Sequence, residues 1–268
     1  MKSRPVKDYQ LPLGIGLLGI TLIIMLFFTL SRGISIEINM DNRLQPSSPQ
    51  FLLGTDDLGR DLLSCLIYGA GISLLTGACV VLISAITGTL LGMAAGLAGG
   101  LTDIIFMRIV DIVLAFPGIL LALALVTFFR QGLLTLIIVL SISSSVSYAR
   151  LIRGEVLKYK QKEFILAARG YNASFWRILF FHLLPFILPL VVVQASIDIS
   201  AVILAESGLN FLGFGLDPQI PTLGQLIDAG RAHLFDKPYL IILPGVVLFA
   251  FILAFNFIGE GLRKKLTR

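Results

Sequence analysis

The chain has 268 residues, of which 56% are hydrophobic and 14% are charged, and its mean hydropathy is +0.93. Because a soluble domain usually carries roughly a quarter charged residues, this composition excludes an ordinary soluble protein and indicates one built for lipid. The net charge of +5 does not indicate nucleic-acid binding, because the basic residues lie at the ends of apolar runs rather than on one face.

The first predicted element is a membrane span over Leu11–Leu30, an apolar run of the ~20 residues needed to cross the hydrocarbon core. The tail before it carries Lys2, Arg4 and Lys7, and the run has no small-residue cleavage site. Because Lys and Arg beside a span are kept on the inner side, residues 1–30 are predicted to be a cytoplasmic tail and an uncleaved first span.

Residues 31–69 are predicted to form an external segment, because their charges have the opposite bias. The acidic residues are Glu37, Asp41, Asp56, Asp57 and Asp61, against the bases Arg32, Arg43 and Arg60. The sequence GTDDLGRD at Gly54–Asp61 by itself indicates turns and a helix cap. The remainder, residues 70–268, is predicted to form a five-helix core.

The second predicted span is the uncharged stretch Leu62–Thr102, which is long enough for one tilted helix followed by a turn. Glycines recur along it at every fourth position: Gly88, Gly92, Gly96 and Gly100. This spacing places small residues on one face, where a neighbouring helix can approach closely. The neighbour is either another helix of this chain or a partner subunit.

The third predicted span is Ile112–Phe129, in which Pro117 removes a helical hydrogen bond and is expected to kink the helix. The fourth is Gly132–Ala149. Its inner half carries the serines Ser141, Ser143, Ser144, Ser145 and Ser147. These hydroxyls either bond to neighbouring helices and to the backbone, or line a wet path.

A strongly basic segment follows at residues 150–185, here named the coupling segment. Its charged residues are Arg150, Arg153, Lys158, Lys160, Lys162, Arg169 and Arg177 against Glu155 and Glu163. This excess predicts a cytoplasmic location. Apolar residues at spacings of three and four predict a helix from Glu163 to Arg177, with Phe164, Ala167, Ala168, Tyr171 and Phe175 on one face. Such a face is suited to a partner protein.

The fifth predicted span, Leu183–Ala205, contains Asp198. A carboxylate at membrane depth is costly unless it faces a cavity or a partner. Asp198 is therefore either functional or a buried group satisfied by hydroxyls or by a second subunit. After it, residues 206–237 are predicted to be external, with a re-entrant element at Phe211–Gly215 that must lie against protein.

The sixth predicted span is Tyr239–Gly259, followed by the basic residues Arg263, Lys264, Lys265 and Arg268. The predicted fold is therefore all-α, with six transmembrane helices and both termini in the cytoplasm.

The coupling segment resembles the EAA loop of ABC-importer permeases, whose pattern is Glu-Ala-Ala, three residues, Gly, nine residues, Ile, one residue and Leu-Pro. Four residues are in register: Ala167, Ala168, Leu184 and Pro185. The chain departs from the pattern at Leu166, Asn172 and His182. The Ala-Ala-Arg at the front and His-Leu-Leu-Pro at the back are similar to the peptide/nickel branch. Asn172 replaces a glycine, and the bend is expected to be kept because Asn tolerates positive φ best after Gly.

Further segments resemble the second, C-type permease subunit of the oligopeptide/dipeptide/nickel branch. They are Gly54–Leu74, the set Asp103, Met107, Arg108, Asp111, Phe116 and Pro117, the stretch from Ala205 to Gly224, and the set Asn256, Gly259, Leu262 and Arg263. The resemblance implies a permease subunit of an ATP-driven importer of di- and oligopeptides, with nickel or a metal chelate as the alternative substrate. Gly71 and Leu223 depart from the customary arginine and tryptophan, so the permease sequence does not decide between the two.

The resemblance implies the type I permease fold of ABC importers in a prokaryotic inner membrane. It implies a homologous second permease, two ATP-binding subunits and an external solute-binding protein, with ATP and Mg on the partners and no cofactor or metal on this chain. The implied ATPase-coupling residues are Glu163, Phe164, Ala167, Ala168, Arg169, Asn172, Ser174, Arg177, His182 and Pro185. The implied external gate or binding-protein contacts are Asp56, Arg60, Asp61, Phe211 and Gly213. The candidate path residues are Asp198, Ser144 and Ser147.

Other classes of function fit the sequence less well. A self-sufficient channel or secondary transporter using Asp198 would not need a long basic docking loop. An intramembrane enzyme would need a His cluster or paired carboxylates, and the chain has only His182 and His233. The chain also has no GxxxxGK[ST] phosphate loop, so it is not expected to hydrolyse ATP itself.

Overall fold

The computed structural model describes residues 9–266, and within them the predicted all-α fold is confirmed. No β-strand occurs in this range, apart from a single bridge between Thr55 and Asp61. The helices are α1 (Gln10–Arg32), α2 (Leu62–Ala98), α3 (Gly100–Leu114), α4 (Gly118–Val126), α5 (Leu133–Tyr159), α6 (Glu163–Gly170), α7 (Phe175–Arg177), α8 (Leu184–Phe211), α9 (Leu223–Gly230) and α10 (Tyr239–Leu266). The predicted orientation in the membrane also used four charges that lie outside the described residues, those of Lys2, Arg4, Lys7 and Arg268.

Five continuous helices are long and apolar enough to cross a membrane, and the pair α3 and α4 makes a sixth span if it is counted as one. The five are α1, α2, α5, the continuous helical stretch Phe175–Phe211, and α10. The predicted number of spans agrees with this larger count.

The third span is broken rather than kinked, so its prediction as one helix over residues 112–129 is wrong. Helices α3 and α4 are bent by 88° relative to each other. Pro117 disfavours a helical conformation at Phe116 and has no N–H to donate. Its own carbonyl instead accepts hydrogen bonds from the N–H groups of Leu120 and Leu121 and so begins α4.

Three other boundaries differ from the prediction. Helix α2 begins at Leu62, as predicted for the second span, so residues 62–69 do not belong to the external segment, to which the prediction had also assigned them. The cause is a cap: the Asp61 carboxylate accepts a hydrogen bond of 2.9 Å from the Ser64 N–H. At the other end of the bundle, α5 continues to Tyr159 and thereby makes the first ten residues of the coupling segment helical.

The fifth span is longer than the predicted Leu183–Ala205, because it runs from Phe175 to Phe211. A π-helical turn at Ile178–Leu183 joins α7 to α8. The turn immediately precedes Pro185, which cannot donate a backbone hydrogen bond, and this local defect is accommodated by the wider helix.

The glycine stripe packs within this chain. A Cβ atom added to any of three of these glycines would collide with α5. At Gly88 it would meet Ser145 and Tyr148, at Gly92 it would meet Ala149, and at Gly96 it would meet Val156. The contact of α2 with α5 is the most extensive between any two of the described helices. The alternative of a partner subunit therefore does not apply to these three glycines, whereas Gly100 has nothing near it.

The helices define two ends of the bundle. The first residues of α1 lie against the last turns of α10, where Gly261 touches Leu11, and this end also carries α6. The opposite end carries α9, which packs on α8 and α10. We refer to them as the α6 end and the α9 end.

Candidate functional site

The coupling segment is anchored to the α6 end by buried side chains. Ile165 of α6 and three residues of the π-helical turn are almost fully buried; the three are Ile178, Leu179 and Leu183. They share one apolar cluster with residues of α2 and α5, including Met93 and Ile152. Burying a side chain of this size contributes about 1.5–3 kcal/mol. The segment is therefore built to move with the bundle as one body.

A tight turn at Asn172 separates α6 from the fifth span. Asn172 has φ of +54°, and the N–H groups of Asn172 and Ala173 donate to the carbonyls of Arg169 and Ala168, each at 3.0 Å. This is the Schellman pattern, which usually places Gly or Asn at the left-handed position. The expected bend at Asn172 is confirmed, while the prediction of one continuous helix over residues 163–177 is wrong.

The apolar face predicted for α6 is split between two sides. Phe164 packs inward, with its ring centroid 5.0 Å from that of Phe186, and Ala168 packs against the buried cluster. Ala167 points outward, and Tyr171 is 90% exposed. The prediction that all five residues share one partner-facing side is therefore wrong, because two of them, Phe164 and Ala168, pack against the bundle.

The exposed side of α6 and its following turn nevertheless remains apolar at its centre. We name it the coupling face, and its residues are Leu166, Ala167 and Tyr171, all of which are exposed. Trp176 and Phe181 are also exposed, but they belong to the helical stretch counted as the fifth span. Of the predicted coupling residues, Glu163, Arg169, Arg177 and Pro185 are exposed around it. Ser174 caps α7 by accepting a hydrogen bond from the Arg177 N–H, and His182 is half-buried with Nδ1 at 3.2 Å from the Arg177 carbonyl oxygen.

Ion pairs that the sequence did not reveal brace the coupling segment against α3. Arg153 donates two hydrogen bonds to the Asp103 carboxylate, at 3.1 and 2.6 Å, and Arg150 pairs with Asp111. Lys160 Nζ donates to the Gly96 carbonyl at the end of α2. A bidentate ion pair such as that between Arg153 and Asp103 is the strongest form of such a contact. The bases that predicted a cytoplasmic loop thus also fix its position.

The three predicted path residues meet in one cleft. The cleft has a volume of about 270 Å³ and is lined by α4, α5 and α8, with Asp198, Ser144 and Ser147 among its walls. Gly118 and Ile119, the first residues of α4, also line it. The break at Pro117 therefore helps to shape this cleft, which a continuous third span would not do.

Asp198 is half-buried in the cleft and accepts a hydrogen bond of 2.9 Å from the Gln194 side chain. Tyr148 of α5 lies beside it, although the Tyr148 hydroxyl has no hydrogen-bond partner of acceptable geometry among the described residues. Among the described residues, no Lys, Arg or His lines the cleft. The carboxylate is thus bordered by serine hydroxyls and apolar side chains, without a cation.

A buried carboxylate network that the sequence analysis missed ties α2 to the α9 end. Glu206 is 0% exposed and accepts hydrogen bonds from Ser73 at 2.8 Å, Ser207 at 3.2 Å and Asn210 at 2.6 Å. The Asn210 side-chain oxygen, Oδ1, in turn accepts a hydrogen bond from the Leu216 N–H. The only available signal was that Glu206 and Asn210 belong to a stretch that resembles a family motif.

Two of the predicted external contact residues are buried inside this chain. Asp56 and Arg60, 3% and 4% exposed, form an ion pair at 2.7 Å, and Arg60 also donates to the Gln219 carbonyl. They hold residues 54–61 to the loop before α9. Together with the cap at Asp61, this makes them structural braces rather than a surface for a binding protein.

The remaining predicted external residues lie at the rim of the α9 end. Phe211 ends α8, and the Arg231 guanidinium stacks over its ring at 5.3 Å from the centroid. Gly213 follows in a turn, where its carbonyl accepts from the Gln131 side chain. Residues 212–222 contain no helix. Of the predicted re-entrant element Phe211–Gly215, Gly215 is buried and Leu212, Gly213 and Phe214 are exposed, so within this chain the expected contact with protein is made only in part.

Residues 9–266 contain no group of three or more His, Cys, Asp or Glu placed to hold a metal ion. The arrangement therefore consists of an exposed apolar face at one end, a polar cleft among the spans and a braced loop system at the other end.

Comparisons with known proteins agree with this description. Residues 88–268 match the family described as binding-protein-dependent transport system inner membrane component. The dipeptide transport system permease protein DppC of Alkalihalophilus pseudofirmus is 38% identical over 230 residues, which cover 86% of this chain and 76% of that relative. The glutathione transport system permease protein GsiD of Pectobacterium atrosepticum is 41% identical over 221 residues, covering 82% and 73%.

A solved structure supports the fold. The MetNI methionine ABC transporter in inward-facing conformations contains a chain that superimposes with a TM-score of 0.62 at 20% identity, covering 76% of this chain and 97% of that chain. At this identity the match supports the predicted type I permease architecture and no detail of substrate.

Proposed function

The chain belongs to the family of binding-protein-dependent transport system inner membrane components, and from this premise we propose that it is one of two permease subunits of an ATP-driven importer of short peptides. Peptides are favoured over nickel or a metal chelate because the two relatives are named for dipeptide and glutathione transport. Family membership also speaks against a self-sufficient channel. We place both termini in the cytoplasm, because α1 begins and α10 ends at the α6 end beside the basic coupling segment.

The observation that carries the proposal is the coupling face. It exposes apolar side chains such as Leu166 and Tyr171 on a segment whose other side is fixed to α2 and α5 by buried residues. Exposed apolar residues in a charged surrounding mark a protein interaction site. An ATP-binding subunit seated there pushes on a rigid body, and its motion reaches the spans without any chemistry on this chain.

In this scheme ATP and Mg are bound by the two partner subunits, and the external binding protein delivers peptide at the α9 end. The second permease completes the path. When the ATP-binding subunits close, the coupling segments of both permeases approach, and the spans rock between inward- and outward-facing states. Peptide passes the cleft that contains Asp198.

The test is a charged residue on the coupling face. Ala167→Glu should leave insertion and pairing with the second permease intact, because Ala167 is exposed, but should abolish co-purification with the ATP-binding subunits and peptide uptake. Ala232→Glu makes the same chemical change at an exposed position of the α9 end and should leave co-purification with the ATP-binding subunits intact. If Ala167→Glu retains both co-purification and uptake, the proposed docking is wrong. Ala168 is the poorer choice, since it packs inward.

A further inference from the structure

The cleft holds a carboxylate without a cationic partner. Asp198 takes part in none of the ion pairs between described side chains, and its hydrogen bond comes from the neutral Gln194. The three carboxylates that are buried in the described part of the chain each have a cation or several donors: Asp103 has Arg153, Asp56 has Arg60, and Glu206 has three donors. Asp198, which is half-buried within a span, has one neutral donor and no cation.

Its position makes this exception informative. Asp198 is thirteen residues before the end of α8 at Phe211, which places it about 20 Å along the helix from the α9 end. A carboxylate at that depth is costly unless a cavity supplies water or a ligand supplies charge. Here the cavity exists, with Ser144 and Ser147 on the facing wall and apolar residues elsewhere.

The chemistry of the walls selects the kind of cation. A metal ion such as Ca²⁺ takes six to eight oxygen ligands, whereas this cleft offers one carboxylate and the hydroxyls of Ser143, Ser144 and Ser147. A primary ammonium has only three N–H donors. One carboxylate and two hydroxyl oxygens are enough to accept all three.

We infer that Asp198 binds the α-ammonium group of the peptide during its passage, with Ser144 and Ser147 accepting its remaining N–H bonds. This inference rests on the proposed function and deepens it. The free amino terminus is the one charged group at the front of every unmodified peptide, so such a site accepts peptides of any sequence and transports those whose terminus is blocked more slowly. Selectivity then arises partly within the membrane and not only in the binding protein.

The experiment uses the complete importer, with both permeases, both ATP-binding subunits and the binding protein, in proteoliposomes. ATP-dependent uptake of one dipeptide is compared with uptake of its N-acetylated form. Asp198→Asn should lower uptake of the free dipeptide about tenfold or more, the loss expected for a charge-assisted hydrogen bond, and leave the acetylated form within about twofold. Asp198→Glu should retain most uptake. Asp217→Asn, which removes an exposed carboxylate at the α9 end, is the matched control.

A charge-rescue measurement removes the dependence on the blocked peptide. In Asp198→Cys, a thiol reagent carrying a sulfonate should restore uptake of the free dipeptide, and one carrying a trimethylammonium group should not. The unsubstituted chain, which has only Cys65 and Cys79, receives the same reagents as the control.

The outcomes separate the two claims. Equal restoration by both reagents, or equal loss of both peptides in Asp198→Asn, overturns the ammonium site while peptide import stands. Loss of co-purification with the second permease in Asp198→Asn also overturns it, since the partner of the carboxylate would then be a protein group. If the unsubstituted importer moves neither peptide with ATP, the proposed function itself is wrong, and the inference falls with it.

Discussion

Replacing Gly92 by alanine tests the packing of α2 on α5, the contact on which the bundle is built. A Cβ at this position would lie 2.5 Å from the Ala149 carbonyl oxygen and 3.0 Å from Ala149 Cα, whereas ordinary contacts are 3.4–4 Å. Both neighbours are backbone atoms of a helix, so neither can rotate away. The two helices must separate by nearly the difference, about 1 Å, along this stretch.

The expected change in the free energy of unfolding is the sum of two opposing contributions. Alanine favours a helix over glycine by about 1 kcal/mol, while overpacking a close contact costs about 1–3 kcal/mol. Gly71→Ala in the same helix has only the first contribution, because nothing lies within 4 Å of a Cβ at Gly71. The helix propensity cancels between the two variants, so Gly92→Ala should be less stable than Gly71→Ala by about 1–3 kcal/mol.

The assay is unfolding of the purified chain in mixed detergent micelles, followed by circular dichroism as the fraction of denaturing detergent rises. The free energies of unfolding of the two variants are compared with that of the unsubstituted chain. If Gly92→Ala is as stable as Gly71→Ala, α2 and α5 are not in contact at this point, and the glycine stripe faces a partner subunit instead.

Three further predictions concern the turns and braces. Asn172→Val should lower the free energy of unfolding by about 1–2 kcal/mol, because a β-branched residue resists the left-handed turn, while Asn172→Gly should be neutral; the same detergent titration measures both. Arg153→Met should cost about 1–3 kcal/mol by leaving the buried Asp103 carboxylate unpaired, and adding Asp103→Leu should recover most of the loss, so failure of the double variant to recover would contradict the brace. Asp61→Ala should cost about 1 kcal/mol by removing the cap of α2, and proteolysis between residues 54 and 62 should become faster; unchanged cleavage would argue against the cap.

The order of the spans could be predicted from the sequence because its signals are local. Apolar runs such as Leu11–Leu30 and the alternation of charge bias between loops depend on neighbouring residues only. The bend at Asn172 is equally local, since it depends on one residue's tolerance of positive φ. Helix ends were less predictable. Helix α5 ends at Tyr159, well inside the coupling segment, because a charged, solvent-exposed sequence can be as helical as an apolar one.

The size of the break at Pro117 and the division of α6 into two faces depended on tertiary packing. Proline shows where a helix is interrupted, but the 88° bend reflects where α4 packs on α5. In α6, spacing placed Phe164 and Tyr171 on one side, and the anchor to the bundle then used Phe164. The spacing of apolar residues alone does not indicate which side of the helix packs against the bundle.

Pairs far apart in sequence were not predictable as pairs. Ser73 and Glu206 are 133 residues apart, and Arg153 and Asp103 are 50 apart. Each residue has an ordinary identity, and only the fold brings it to its partner. The candidate path residues Asp198, Ser144 and Ser147 could be predicted as a group. A lone aspartate and a serine cluster in two spans are unusual enough to be expected at one cleft.

The most direct test of the central claim, that work done on partner subunits reaches the spans through the coupling face, is photo-crosslinking from that face. A photoreactive phenylalanine analogue replaces Tyr171, which is 90% exposed, and in a matched variant Phe235, which is 96% exposed near the α9 end. In the assembled importer we expect the label at Tyr171 to join this chain to an ATP-binding subunit, with a yield that changes when ATP is added, and the label at Phe235 to give no such product. An ATP-binding subunit captured from Phe235, or none captured from Tyr171, would contradict the account.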